Sequence, residues 1–196
     1  MNTNPTSPTD PTSTASTTDP ASTTDPASIS SHAPTMILVG PPGSGKSTVG
    51  ALVAQRLGVG FLDTDDEVAA VARKEVGDIF VEDGEQAFRA LERPVAERAL
   101  RYTGVVALGS GALLDPGVQR MLAGRRVVYL QTGFAEVAKR TGLNKPRIPV
   151  PGNPRGMLRA MLEERLPLYE AVAATTVATD ELSPEEIASQ IAEAVR

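Results

Sequence analysis

The chain has 196 residues, enough for one ordinary domain and too few for two of comfortable size. With 41% hydrophobic and 22% charged residues it has a soluble globular composition, and its apolar runs fall short of the ~20 residues that span a bilayer. It has no cysteine, which excludes disulfides, thiolate metal sites and cysteine nucleophiles. These features predict a cytoplasmic protein with one catalytic domain, monomeric by default and without a membrane partner.

Charge and histidine content narrow the function further. The formal net charge of -5 argues against nucleic-acid partners, because proteins that bind nucleic acid usually carry a basic excess. His32 is the single histidine and lies in the N-terminal segment, which argues against a histidine-based catalytic triad or metal site. We expect small-molecule partners and a local anion site.

The first 35 residues differ in composition from the rest. They are mostly Ser, Thr and Pro, and the hexapeptide at 17–22 recurs identically at 23–28. Met1 and Ile29 are their only large apolar side chains, too few to offset the entropy of ordering the chain. We interpret residues 1–35 as a disordered tail and residues 36–196 as the folded domain.

From Met36 onward, short β-branched runs alternate with helical patterns, as in α/β proteins with a parallel sheet. The predicted strands are 36–39, 60–62, 105–108, 127–130 and 176–178. The predicted helices lie near 46–57, 65–74, 84–101, 116–123, 134–141, 156–165 and 184–195. Pro94 falls inside the third helix, where we expect a kink or an early end.

The segment from Gly40 to Ser47 fits the phosphate-binding pattern G-x-x-x-x-G-K-[ST]. It follows a predicted strand and opens a predicted helix, so its backbone N–H groups and the helix N-terminus can converge on phosphate oxygens. Lys46 would reach the β and γ phosphates, and Ser47 would hold Mg²⁺. The motif predicts ATP binding; the alternative is a glycine-rich turn before an ordinary helix.

Acidic residues follow the second predicted strand, at the sheet edge where α/β proteins bind ligands. Asp63 could hold a metal-bound water, and Asp65 could accept a hydrogen bond from a substrate hydroxyl. The alternative is helix capping, because Asp65, Asp66 and Glu67 suit the first turn of the next helix.

Two further segments could contact the substrate. Arg89 and Glu92 are three residues apart on one helical face, where the carboxylate can orient the guanidinium or simply form a surface ion pair. The third strand leads into the small-residue turn 109–112, which permits close approach to a ligand.

Taken together, the segment from about Met36 to the end resembles the shikimate kinases. The resemblance rests on 40–48, 62–65, 78–80, Gly84, Glu85, Phe88, Arg89, Glu92, 109–112, Arg140, Thr141, Arg147 and 165–169. It implies a P-loop NTPase-type three-layer sandwich with a five-stranded parallel sheet and a mobile lid. The implied reaction is transfer of the γ-phosphoryl group of ATP to the 3-hydroxyl of shikimate, with one Mg²⁺ per ATP.

The resemblance also implies roles for individual residues. Lys46, Asp65 and Arg147 would be catalytic, with Asp65 binding the acceptor hydroxyl. Arg89 and Arg165 would grip the shikimate carboxylate, and Ser47 and Asp63 would hold the metal. The implied substrate-binding set is Asp65, Arg89, Ser110, Gly111 and Arg165. The implied ATP-binding set is Gly43, Ser44, Gly45, Lys46, Ser47, Thr48, Arg140, Arg147 and Pro184.

Three positions depart from the family pattern. Ser110 stands where the family usually has a glycine, and a positive φ there would strain serine. In the predicted lid, residues 141–156, Pro149 is displaced by one residue relative to Arg147. The loop before Pro184 lacks the arginine often found near Leu182, which predicts weaker ATP binding.

Two alternative functions share these features. A kinase of another polyol acid, such as gluconate, would keep the phosphate loop and the acidic pair but would not need Arg89 together with Arg165. A nucleotide-binding switch or inactive paralogue would keep ATP binding, and Ser110 is the feature that favours it.

Overall fold

The computed structural model describes residues 36–143 and 152–194. The predicted tail 1–35 and residues 144–151 of the predicted lid lie outside these ranges. No helix within the described ranges is long and apolar enough to cross a membrane.

A five-stranded parallel sheet with the order β2-β3-β1-β4-β5 organises the fold. Its strands are β1 (Met36–Val39), β2 (Gly60–Asp63), β3 (Gly104–Ala107), β4 (Val127–Gln131) and β5 (Thr175–Ala178). β1 lies in the middle and pairs with β3 and β4, so the chain reverses its direction across the sheet at β1. Ligands in open α/β sheets bind where the strand order reverses, outside the carboxyl ends of the strands.

Helices cover both faces of the sheet and confirm the predicted three-layer architecture. They are α1 (Lys46–Leu57), α2 (Thr64–Ala72), α3 (Val76–Asp78), α4 (Gly84–Ala99), α5 (Pro116–Leu122), α6 (Phe134–Arg140), α7 (Pro154–Val172) and α8 (Pro184–Glu193). On one face, α1 and α8 pack over Leu38 and Leu130. On the other, α4, α5 and α7 pack over Val39 and Tyr129.

Proline does not end two of the helices, and the early end considered at Pro94 does not occur. α4 continues from Gly84 through Pro94 to Ala99, and α7 continues through Pro167 to Val172, beyond its predicted end. Both prolines are exposed, as are Ala90 and Glu163, whose carbonyls lose a hydrogen bond. Water can satisfy those carbonyls, so each proline costs less than it would in a buried helix.

A short segment before α4 was not predicted. It comprises α3 and a single π-helical turn, Ile79–Asp83, which ends at Gly84 with φ 85°. Ile79 is buried against Val68 and Phe88, and this small cluster packs the segment onto α2 and α4. The segment therefore supports α4, the helix that carries Arg89.

Candidate active site

The phosphate loop lies between the buried strand β1 and the first turn of α1. Gly43 and Gly45 have φ of 71° and 94°, a left-handed conformation that side chains rarely adopt. The loop borders a cavity of about 620 Å³. Its lining includes Gly43, Ser44, Gly45, Lys46, Ser47, Thr48, Asp63, Asp65, Ser110, Arg140 and Pro184. The structure thus brings most of the predicted ATP-binding residues to one cavity.

Lys46 lies over this loop. Its Nζ donates to the carbonyl oxygens of Gly40 and Pro41, at 3.0 Å each. Burial lowers the pKa of Lys46 to about 8, although Asp65 and Asp63 nearby act in the opposite direction. An anion at the loop would favour the charged form and could replace the two carbonyl contacts.

Asp63 and Asp65 differ in what holds them. Asp63 caps α2 by accepting from the backbone N–H of Asp65 at 2.9 Å, and it accepts from the Ser47 hydroxyl at 2.6 Å. Asp63 is therefore the cap of α2, whereas Asp65, Asp66 and Glu67 lie in its first turn, where the capping alternative had placed them. Burial, followed by repulsion from Asp63, raises the pKa of Asp65 to about 6.

Arg89 is held between two glutamates of α4. Its Nη1 donates to Glu92, and its Nη2 donates to Glu85 at 3.1 Å. The Glu92 side chain is only 5% exposed, so the alternative of a surface ion pair is wrong. The guanidinium lies directly against Gly111, where an added Cβ would approach its Nη1 to 2.2 Å. A side chain at this position would displace the Arg89 guanidinium.

Arg165 approaches the same turn from α7. Its Nη1 donates to the Ser110 hydroxyl at 3.4 Å, and its buried Nε has no hydrogen-bond partner among the described residues. A buried guanidinium N–H without an acceptor can bind an incoming carboxylate. Outside glycine, positive φ occurs within the described ranges at Arg73 alone, so Ser110 is free of the strain considered above.

The opposite end of the cavity is built around Arg140. The guanidinium donates to the carbonyls of Gly43 at 3.2 Å and Thr179 at 3.0 Å, and to Glu136 at 2.9 Å. It thereby ties the phosphate loop to the end of β5. Leu182, Pro184 and Ile187 complete an apolar wall beside it.

Arg89 and Arg165 thus both lie beside the 109–112 turn, which borders the phosphate-loop cavity through Ser110. Arg147 lies outside the described residues. Two contacts were missed from the sequence. The Thr64 hydroxyl accepts from the buried N–H of Gly109 at 2.7 Å, and the Tyr169 hydroxyl donates to the carbonyl of Ser110. Both join residues more than 40 positions apart, for which the sequence carries no local signal.

Comparison with known proteins agrees with this geometry. A family model described as shikimate kinase matches residues 42–196. The shikimate kinase of Thermobifida fusca is 55% identical over 163 residues, which cover 83% of this chain and 95% of that protein. The shikimate kinase of Streptomyces coelicolor is 48% identical over 164 residues, with coverages of 83% and 96%.

A solved structure extends the likeness to three dimensions. The shikimate kinase from Acinetobacter baumannii in complex with shikimate matches with a TM-score of 0.73 at 34% identity. The match covers 84% of this chain and 93% of that one. Sequence and fold therefore agree over most of the chain, and the chain belongs to the shikimate kinase family.

Proposed function

We propose that this protein transfers the γ-phosphoryl group of ATP to the 3-hydroxyl of shikimate. The observation that carries the proposal is the convergence of two guanidinium groups, from α4 and α7, on the turn that borders the phosphate-loop cavity. Planar guanidinium forks suit a carboxylate, and a protein with a net charge of -5 binds a small anion only at a locally arranged cationic site.

Each residue contributes to binding or charge stabilisation. The backbone of residues 43–48 cradles the phosphates, and Lys46 neutralises charge on the transferred group. Arg147, in the predicted lid, neutralises charge on the same group. Asp65 binds the acceptor hydroxyl and can take its proton. Arg140 and Pro184 border the adenine, while Arg89 and Arg165 hold the acceptor carboxylate and Ser110 and Gly111 offer backbone groups.

The residues present also fit a magnesium ion that arrives with the nucleotide. The Ser47 hydroxyl and the Asp63 carboxylate are 2.6 Å apart beside the phosphate loop. Within the described part of the chain, no group of three or more acidic or histidine residues could hold a metal by itself. This suits Mg²⁺, which usually keeps waters and phosphates among its ligands and takes few from protein. Bound there, it would neutralise phosphate charge.

We further propose that the protein is a cytoplasmic monomer that acts without nucleic acid or membrane. The composition supports this, because the chain has no cysteine and carries a net negative charge. Analytical ultracentrifugation at micromolar concentration tests the monomeric state.

An assay coupled to ADP release, with shikimate, quinate and gluconate as acceptors, tests the function. We expect turnover with shikimate at least tenfold above the other two acceptors and its loss in Lys46→Ala. Lys139→Ala is the control, because Lys139 is an exposed lysine paired with Glu136. Preference for gluconate would establish the polyol-acid alternative, and ATP binding without any turnover would establish the switch alternative.

A further inference from the structure

Helix α7 contacts the substrate turn at two points one helical turn apart. Arg165 donates to the Ser110 hydroxyl, and Tyr169 donates to the Ser110 carbonyl oxygen. Residues four apart in a helix share a face, so both contacts come from the same side of α7. Tyr169 is 1% exposed, so its hydrogen bond forms where water does not compete.

The Tyr169 ring packs against a second tyrosine ring. Tyr129, on β4, is fully buried and stacks against Tyr169 with ring centroids 5.4 Å apart at an interplanar angle of 28°. The two hydroxyls differ, because that of Tyr129 has no hydrogen-bond partner among the described residues. Burial raises the pKa of Tyr169 far above neutral pH, so its hydroxyl stays protonated as a donor.

The bond to Ser110 constrains the peptide that follows. A trans peptide places the carbonyl oxygen and the next N–H on opposite sides. With the Ser110 carbonyl held toward α7, the N–H of Gly111 points away from α7. Gly111 lies against the Arg89 guanidinium. The Tyr169 hydroxyl therefore affects both the conformation of the turn and the position of the turn relative to Arg89.

We infer that Tyr169 is a positioning residue for acceptor binding, which locks α7, and with it Arg165, to the substrate turn. The inference rests on the proposed function, because it takes shikimate as the acceptor. Tyr169 acts through Arg165 and through the orientation of the 110–111 peptide, without touching the reacting atoms.

Tyr169→Phe tests the inference, with Tyr129→Phe as the matched control. Both variants remove one hydroxyl from the same buried ring pair, but the bond to Ser110 is lost only in the first. We expect Tyr169→Phe to raise the KM for shikimate about three- to tenfold, the range for the loss of one hydrogen bond, and to leave the KM for ATP unchanged. Tyr129→Phe should change neither constant.

A double-mutant cycle with Arg165→Lys shows whether Tyr169 acts through Arg165. If it does, Tyr169→Phe raises the KM for shikimate less in the Arg165→Lys background than in wild type, because the group that it positions is already altered. Equal effects in both backgrounds would overturn the coupling. A purely structural role would lower the melting temperature without this selective change in KM.

Further outcomes would overturn the inference. An unchanged KM for shikimate in Tyr169→Phe, or the same increase in Tyr129→Phe, would show that the hydroxyl does not position the site. A Tyr169→Phe protein unfolded at the assay temperature would show that the hydroxyl holds the fold instead. A wild-type protein without shikimate turnover would overturn the proposed function as well. If the wild type is active, a negative result overturns only the inference on Tyr169.

Discussion

This site contains charged side chains that are nearly buried. Glu92 is nearly buried beside Arg89, and one of its carboxylate oxygens has no hydrogen-bond partner among the described residues. Burial is the largest influence on Glu92 and raises its pKa in spite of the attraction of Arg89. Such a charge is costly for the fold. In return, the Glu92 carboxylate fixes Arg89, which we propose binds the acceptor.

Replacing Glu92 by Gln separates these two effects. A carboxyl whose pKa is raised in the folded state loses stability as the pH rises through that pKa, and a neutral amide does not. We therefore expect Glu92→Gln to melt at the same or a higher temperature than wild type at pH 8, with the difference narrowing as the pH falls toward 4. The KM for shikimate should rise, because Arg89 loses its ionic partner. Melting several degrees below wild type at pH 8 would contradict this account.

The two arginines proposed to bind the acceptor, Arg89 and Arg165, should not tolerate lysine. A point ammonium cannot reproduce two-pronged carboxylate binding, so Arg89→Lys and Arg165→Lys should each raise the KM for shikimate more than that for ATP. The expected loss is about 1.5–3 kcal/mol for each charged hydrogen-bonding group. Arg98→Lys on α4, at an exposed pair with Glu67, is the control. An effect limited to the KM for ATP would show that neither arginine binds the acceptor.

Ser110 departs from the family pattern, but its backbone is not in the left-handed region. Glycine at this position therefore relieves no strain and adds entropy to the unfolded chain. We expect Ser110→Gly to melt at or slightly below the wild-type temperature and to keep shikimate kinase activity within about tenfold, since its main-chain groups remain. Steady-state kinetics on the acceptor panel check this. Loss of activity toward an acceptor other than shikimate would indicate that the hydroxyl was recruited for a different substrate.

At the scale of elements, the sequence predicted all five strands and seven of the helices, of which α7 is much longer than predicted. Strands β1 and β4 are runs of buried apolar residues, and apolar residues at helical spacing marked α1 and α8. The segment 76–83 escaped prediction because its π-helical turn is set by packing around Ile79 and has no distinct local pattern. Pro94 does not end α4, and α7 extends through Pro167 beyond its predicted end; solvent exposure, which the sequence does not reveal, lowers the cost of a proline at both positions.

Helix α8 forms one wall of the nucleotide cavity and begins with a capping box. Ser183 and Glu186 exchange hydrogen bonds, with the Glu186 carboxylate 2.8 Å from the Ser183 backbone nitrogen. Ser183→Ala should lower stability by about 0.5–2 kcal/mol, measured by denaturant unfolding. Ser189→Ala is the control in the same helix, because alanine is the better helix former at an interior position. Equal losses in both variants would show that the box does not hold α8.

At the scale of the whole molecule, the site is assembled from segments far apart in sequence. Arg140 contacts Gly43 across 97 positions, and Tyr169 contacts Ser110 across 59. The strand order brings these loops to one sheet edge, so the motifs predicted which segments meet there. They could not predict which atoms touch, because side-chain contacts between distant segments depend on packing. The Arg89–Glu92 spacing allowed a surface pair as readily as the buried one found.

The tail should contribute little to the domain. Its composition offers two large apolar side chains in 35 residues, and strand β1, which follows it, is paired on both edges. We expect deletion of residues 1–33 to leave the melting temperature and both KM values unchanged. Met36→Ala provides the scale for comparison, because Met36 is fully buried and truncation of such a side chain costs about 2–5 kcal/mol. The deletion should therefore destabilise the protein less than this single substitution. A loss of several degrees on deletion would show that the tail docks on the domain, and a change confined to one KM would place the docking site at the corresponding substrate.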